Sequence, residues 1–81
     1  MNFTFGSGER KYLIFNKKEG IYNALKIFCE QLKIPIEYLG KNLNFMYDGS
    51  KIKINDNRQL GEIFKKNSTI IVIDSINLIG A

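Results

Sequence analysis

Between Ile21 and Leu32 the apolar residues recur at helical spacing, and on both sides of that stretch they recur at the spacing of strands. Ile21, Ala24, Leu25, Phe28 and Leu32 fall three and four residues apart, which gathers them on one stripe of a helix. Lys26, Glu30, Gln31 and Lys33 lie outside the stripe and keep its far side polar. One helix with one apolar stripe must be covered by something else in the chain, and only strand-like segments are on offer. Pro35, the sole proline, biases Ile34 away from helical angles, so the helix is expected to end near Lys33.

The strands can be read from their alternation. Phe3 and Phe5 alternate with Asn2 and Thr4, Gly6-Ser7-Gly8 supplies a turn, and alternation resumes over residues 11–15. There Leu13 and Phe15 share one face while Tyr12 and Ile14 point to the other. Residues 36–42 read as a connection punctuated by Gly40. Leu43, Phe45 and Tyr47 then share a strand face, Asp48-Gly49 is a hairpin dipeptide, and Lys51-Ile52-Lys53-Ile54 alternates after it. Leu60, Ile63 and Phe64 predict one short helical turn, and the continuous run Ile70 to Ile73 predicts a central strand. The expected fold is α+β: an N-terminal hairpin, one main helix, and a mixed sheet of four to five strands. A short helical turn precedes the last strand, which pairs parallel to the first. That is a β-grasp, expected to occupy residues 1–74 with a flexible tail over 75–81.

Composition narrows the chemistry. The 81 residues contain no His and a single Cys, Cys29, so neither a disulfide nor a zinc cluster can form within the chain. No apolar run approaches the roughly 18–20 residues of a membrane helix and no signal peptide opens the chain, so a cytoplasmic or nuclear, monomeric, cofactor-free domain is expected. Net charge is +4, but each half of the chain carries six basic and four acidic groups. A nucleic-acid arm is usually asymmetric, and Lys17-Lys18 and Lys65-Lys66 read more simply as solvated faces. Cys29 has no His to activate it, the carboxylates show no paired spacing, and the glycines form no phosphate loop, so no catalytic residues are expected.

The residues carry a resemblance in serial order. Leu25-Lys26-Ile27-Phe28-Cys29-Glu30-Gln31 resembles the helix of the small ubiquitin-like modifiers, which has an aromatic-Cys-Glu-Arg run there. Asn44-Phe45-Met46-Tyr47-Asp48-Gly49-Ser50-Lys51-Ile52 is similar to their strand-turn segment. The stretch from Asp56 through Leu60 to Asn67-Ser68-Thr69-Ile70 resembles the entry to the last strand of ubiquitin. The resemblance runs from residue 1 to about 74, with about four extra residues around Gly40 relative to the small modifiers.

The resemblance implies a protein that acts by being recognised: a modifier or modifier-like domain with protein partners. Conjugating members end in Gly-Gly; this chain ends in Leu78-Ile79-Gly80-Ala81, so Gly80 and Ala81 stand at the place of the conjugation tail. That ending fits a non-conjugated interaction domain of a larger protein. It equally fits a diverged modifier activated or released in another way, as by adjacent self-processing intein-like domains, or an arbitrary boundary at Ala81.

Met46 falls at the central aliphatic position of the ubiquitin recognition patch, with Ile71, Val72 or Asp74 beside it according to register and Val72 the expected neighbour. Its plain alternative is a residue that merely covers the sheet. Tyr12 and Ile14, with Lys11, Lys17 and Lys18 nearby, mark a second expected surface, a groove between the second strand and the helix. Small modifiers seat an extended peptide there; the plain alternative is an edge strand guarded by lysines.

Overall fold

The computed structural model describes residues 1–65 and 68–76. Strands β1 (Asn2–Thr4) and β2 (Arg10–Tyr12) form the first hairpin, followed by helix α1 (Ile21–Gln31) and a 3-10 turn (Ile36–Tyr38). Strands β3 (Leu43–Tyr47) and β4 (Ser50–Lys51), helix α2 (Leu60–Ile63) and strand β5 (Thr69–Asp74) complete the order. The five strands make one sheet in the order β2-β1-β5-β3-β4. β5 lies between β1, to which it is parallel, and β3, to which it is antiparallel. This is the expected α+β, β-grasp layout, with the last strand at the centre of a mixed sheet.

The core sits between the inner face of the sheet and the stripe of α1. Phe3 from β1, Phe28 from α1 and Phe45 from β3 are fully buried and meet as a triad. Phe28 lies 4.4 Å from Phe3 and 5.2 Å from Phe45, the latter edge-to-face at 88°. That geometry sets the positive ring edge of one partner against the negative face of the other. Ile21, Ala24, Leu25 and Cys29 fill the rest of the helix stripe, and Leu43, Ile70 and Val72 fill the sheet side.

Helix α1 ends at Gln31 with Leu32 as its C-cap, close to the end near Lys33 expected from Pro35, and a left-handed residue closes its last turn. Lys33 adopts a left-handed φ of 58°. Its N–H donates to Glu30 O at 3.2 Å, and the N–H of Ile34 donates to Cys29 O at 2.9 Å. Those two bonds are the Schellman pattern, which satisfies carbonyls that the last helical turn leaves without intrahelical partners. Ile34 then turns into the core, while Pro35 follows the reversal.

Two expected strands are shorter than their alternation. β2 is assigned only to Tyr12, although Met1 and Leu13 still exchange hydrogen bonds of 3.0 and 2.7 Å beyond it. Leu13 and Phe15 still pack against the core, as their alternation predicts. β4 keeps only Ser50 and Lys51, paired with Tyr47 and Met46. Ile52 nonetheless donates to Phe45 O at 2.8 Å and is buried, so its place in the pattern is real even where the ladder ends. Between them Asp48 and Gly49, with φ of 52° and 80°, form the hairpin turn whose positive angles match the twist of the strands.

Candidate functional site

The side of the sheet away from α1 is set by parity. Phe3, Ile70, Val72 and Phe45 point inward, so their neighbours in each strand point outward. Register then aligns those neighbours: Arg10 opposite Thr4, Thr4 opposite Ile71, Ile71 opposite Met46, and Met46 opposite Lys51. A row therefore crosses all five strands, apolar at its centre and basic at both ends. Ile73, opposite Asn44 and one pair further along, widens the apolar centre. Ile71 is 53% exposed and Ile73 38%, while Met46 is half-buried among them.

Val72 does not belong to this surface. It is 5% exposed and sits opposite Phe45 on the inner face, where it contributes to the core. Ile71 takes the place expected of Val72, because a shift of one residue along a strand exchanges the two faces. Asp74 is opposite Leu43, also off this face. Parity with the inward Phe45 was the signal that could have chosen Ile71, once the β3–β5 register was known. Asn44 stands beside this patch; its amide Nδ2 donates to Lys41 O at 3.0 Å, and its buried Oδ1 has no partner among the described residues.

Tyr12 and Ile14 are exposed as expected, Ile14 at 84%. They do not face a groove against the main helix. They line a cleft of about 450 Å³ whose opposite wall is Leu60, Gly61, Phe64 and Lys65, in and just after α2. The wall differs because residues 17–19 are tied to α2: Gly61 N–H donates to Lys17 O at 2.8 Å, and Leu60 N–H donates to Glu19 O at 2.9 Å. Lys17 lines the cleft, whereas Lys11 is opposite Phe3 within the first hairpin. Lys18 is exposed, its N–H held by Asn16 Oδ1 at 2.9 Å. Phe64 lines the cleft and meets Tyr47 edge-on, with ring centres 4.7 Å apart.

The remaining charged geometry is structural. Arg58 grips Asp56 with Nε and NH2 (2.8 Å to Oδ2 for the latter), and its backbone N–H donates to Oδ1 at 2.9 Å. These bonds hold the Asp56 carboxyl down at about 2. They also fix the turn that leads into α2, where Gln59 and Glu62 form a reciprocal capping box. Burial, with Glu30 adding to it, pushes the Cys29 thiol up, which suits a core side chain rather than a nucleophile. Among the described residues no group of three His, Cys, Asp or Glu side chains could hold a metal ion, and no helix is long and apolar enough to cross a membrane. Gly80 and Ala81 lie outside the described residues; Ser75, at the start of the expected tail, donates from both N–H and Oγ to Asn42 O.

The chain thus has the β-grasp layout with an exposed apolar patch on the open sheet face and a separate basic-rimmed cleft at one end. In comparisons with known proteins, no family model and no curated protein matches it.

Proposed function

We propose that this chain is a ubiquitin-like protein modifier or modifier-like domain, which works by being recognised by partner proteins. The observation that carries the reading is the cross-strand row centred on Met46 and Ile71 and ended by Arg10 and Lys51. An apolar centre on a rigid sheet offers desolvation, and basic ends favour partners with an acidic rim. Serial likeness to the small ubiquitin-like modifiers over residues 1 to about 74 supports the same reading. In it the carboxyl end near Gly80 and Ala81 is joined to a target amine by separate enzymes, or freed by adjacent self-processing domains. Such a domain binds in the cytoplasm or nucleus and catalyses nothing itself.

A second reading keeps the surface and drops conjugation: a non-covalent ubiquitin-like interaction domain of a larger protein. Its support is the same exposed row, an apolar centre with basic ends that needs no covalent step to engage a partner.

Incubating the protein with its flanking sequence in cell lysate and ATP, followed by mass spectrometry, separates the two. Adducts joined through the carboxyl end support the modifier; partners retained without any adduct support the interaction domain. Met46→Asp and Ile71→Asp should each remove those partners while leaving the circular dichroism spectrum unchanged. Partners unaffected by both substitutions would rule the sheet face out of recognition.

A further inference from the structure

A second cleft, of about 340 Å³, opens between the β3–β4 turn and the segment that leads into α2. Part of its lining is apolar, with Tyr47 and Ile63 each only half-buried. The rest is charged. Lys51 in β4, Lys53 just after it and Arg58 in the turn before α2 all line the space. Lys51 and Lys53 lie on one side of the chain because Ile52, between them, is buried in the core.

Arg58 is held in place rather than free to wander. It gives Nε, Nη2 and its backbone N–H to the Asp56 carboxylate, so the grip that fixes the turn also fixes the guanidinium plane. Nη1 takes no part in that grip and keeps its donors for a ligand. Two carboxylates share the lining, Asp48 and Asp56, and Asp56 is engaged by Arg58. Lys51 and Lys53 meet no carboxylate at ion-pair distance among the described residues. Three cations therefore face one carboxylate, Asp48, that is not already paired.

We propose that this cleft binds a phosphorylated tyrosine side chain of a partner protein, with its phosphate at Arg58, Lys51 and Lys53 and its ring against Tyr47 and Ile63. A phosphate monoester carries about two negative charges and three acceptor oxygens, which suits one fixed guanidinium edge and two mobile ammonium groups. A carboxylate offers less charge, and the short stem of a phosphoserine leaves the apolar lining to water. The edge of the sheet favours a peptide over a nucleotide. β4 is the outermost strand; the Tyr47–Ser50 pair closes its hairpin, and Ile52 N–H donates to Phe45 O. By alternation Lys51, between Ser50 and Ile52, turns its N–H and C=O away from β3, where a passing main chain can pair with them. The site shares only Lys51 with the row centred on Met46 and holds whether or not the chain is a modifier.

The test is a titration of the 15N-labelled protein with the capped peptide Ala-Ser-Thr-phosphotyrosine-Ala-Ser, read by amide chemical shifts, beside its unphosphorylated copy. Shifts over residues 47–53 and 56–63 are expected from the phosphorylated peptide alone. Affinity should fall between about pH 7.5 and about pH 5.5, as the phosphate, with its second pKa near 6, loses a charge. Lys53→Glu, at an exposed side chain, should weaken binding by roughly tenfold or more, and Asp48→Asn should tighten it. Arg58→Lys keeps the charge but loses the planar fork, and should weaken binding several-fold. Four results would overturn the proposal. They are no shifts at millimolar peptide, equal binding of the unphosphorylated copy, shifts that map to Ile71 and Ile73 instead, or affinity indifferent to Lys53→Glu. Inorganic phosphate and adenosine monophosphate are the remaining arms. Equal affinity for inorganic phosphate would mean that the apolar lining contributes nothing, and tighter binding of the nucleotide would remove the peptide assignment.

Discussion

Gly61 and Lys17 are in van der Waals contact at the backbone. A methyl group on Gly61 would stand 3.0 Å from Lys17 Cβ and 3.1 Å from Lys17 O, and neither atom is the free end of a flexible side chain. In an unobstructed helix, alanine is favoured over glycine by about 1 kcal/mol. Here the contact reverses that sign. Gly61→Ala is expected to destabilise the protein by about 1–3 kcal/mol, since the loop at Lys17 must retreat from α2. Urea denaturation checks it, and an unchanged or raised midpoint would mean that the two segments separate freely.

Lys33 holds the left-handed position of the helix-ending turn without being glycine. An L-residue there costs about 1–2 kcal/mol per residue relative to right-handed angles, partly offset by the greater freedom that glycine has in the unfolded chain. Lys33→Gly should therefore raise stability by about 0.5–1 kcal/mol. Thermal or urea unfolding of the variant measures this, and a loss of stability would point to a contact made by the Lys33 side chain.

Ile71 and Val72 are consecutive and have opposite fates. Ile71→Asp places a charge on an exposed sheet face and should shift stability by less than about 1 kcal/mol. Val72→Asp places it against Phe45 and Ile70, where an unpaired carboxylate is not tolerated, and should leave the chain unfolded at neutral pH. Far-ultraviolet circular dichroism of the pair is sufficient; two folded variants, or two unfolded ones, would contradict the register between β3 and β5.

The Asp56 carboxyl titrates at about 2, against an ordinary value of 3.8, because Arg58 donates to its charged form from both side chain and backbone. The folded value is the lower one, so the pair's contribution to stability is complete above roughly pH 4 and is lost as pH falls toward 2. The difference in urea midpoint between the protein and Asp56→Asn should shrink over that interval. A carboxyl resonance of Asp56 that titrates near pH 4 would remove the effect at its source.

Periodicity carried most of the architecture. The stripe from Ile21 to Leu32 and the inward phenylalanines at 3 and 45 were legible because burial acts on every second or every third-to-fourth residue. Pairing was less so. The run from Ile70 to Ile73 is apolar at each position, so nothing in it says which pair faces the helix, and only the strand opposite decides between Ile71 and Val72. Likewise the cleft partner of Tyr12 and Ile14 depends on the bonds from Leu60 and Gly61 to residues 17–19, far apart in sequence and without a side-chain signature. The helix end near Lys33 was legible from Pro35, but the left-handed angle by which Lys33 makes it is a backbone property that a lysine does not announce.

Cys29 lies in the last turn of α1, 1% exposed, and it is the only thiol in the chain. A maleimide or disulfide reagent in solution can reach that sulfur only when α1 leaves the sheet, or when the whole domain opens. The protein consequently carries an internal clock for that event. Its rate of alkylation under native conditions follows the population of the opened state where reclosing outpaces the reagent, and any partner that clamps helix to sheet will slow it without touching the sulfur.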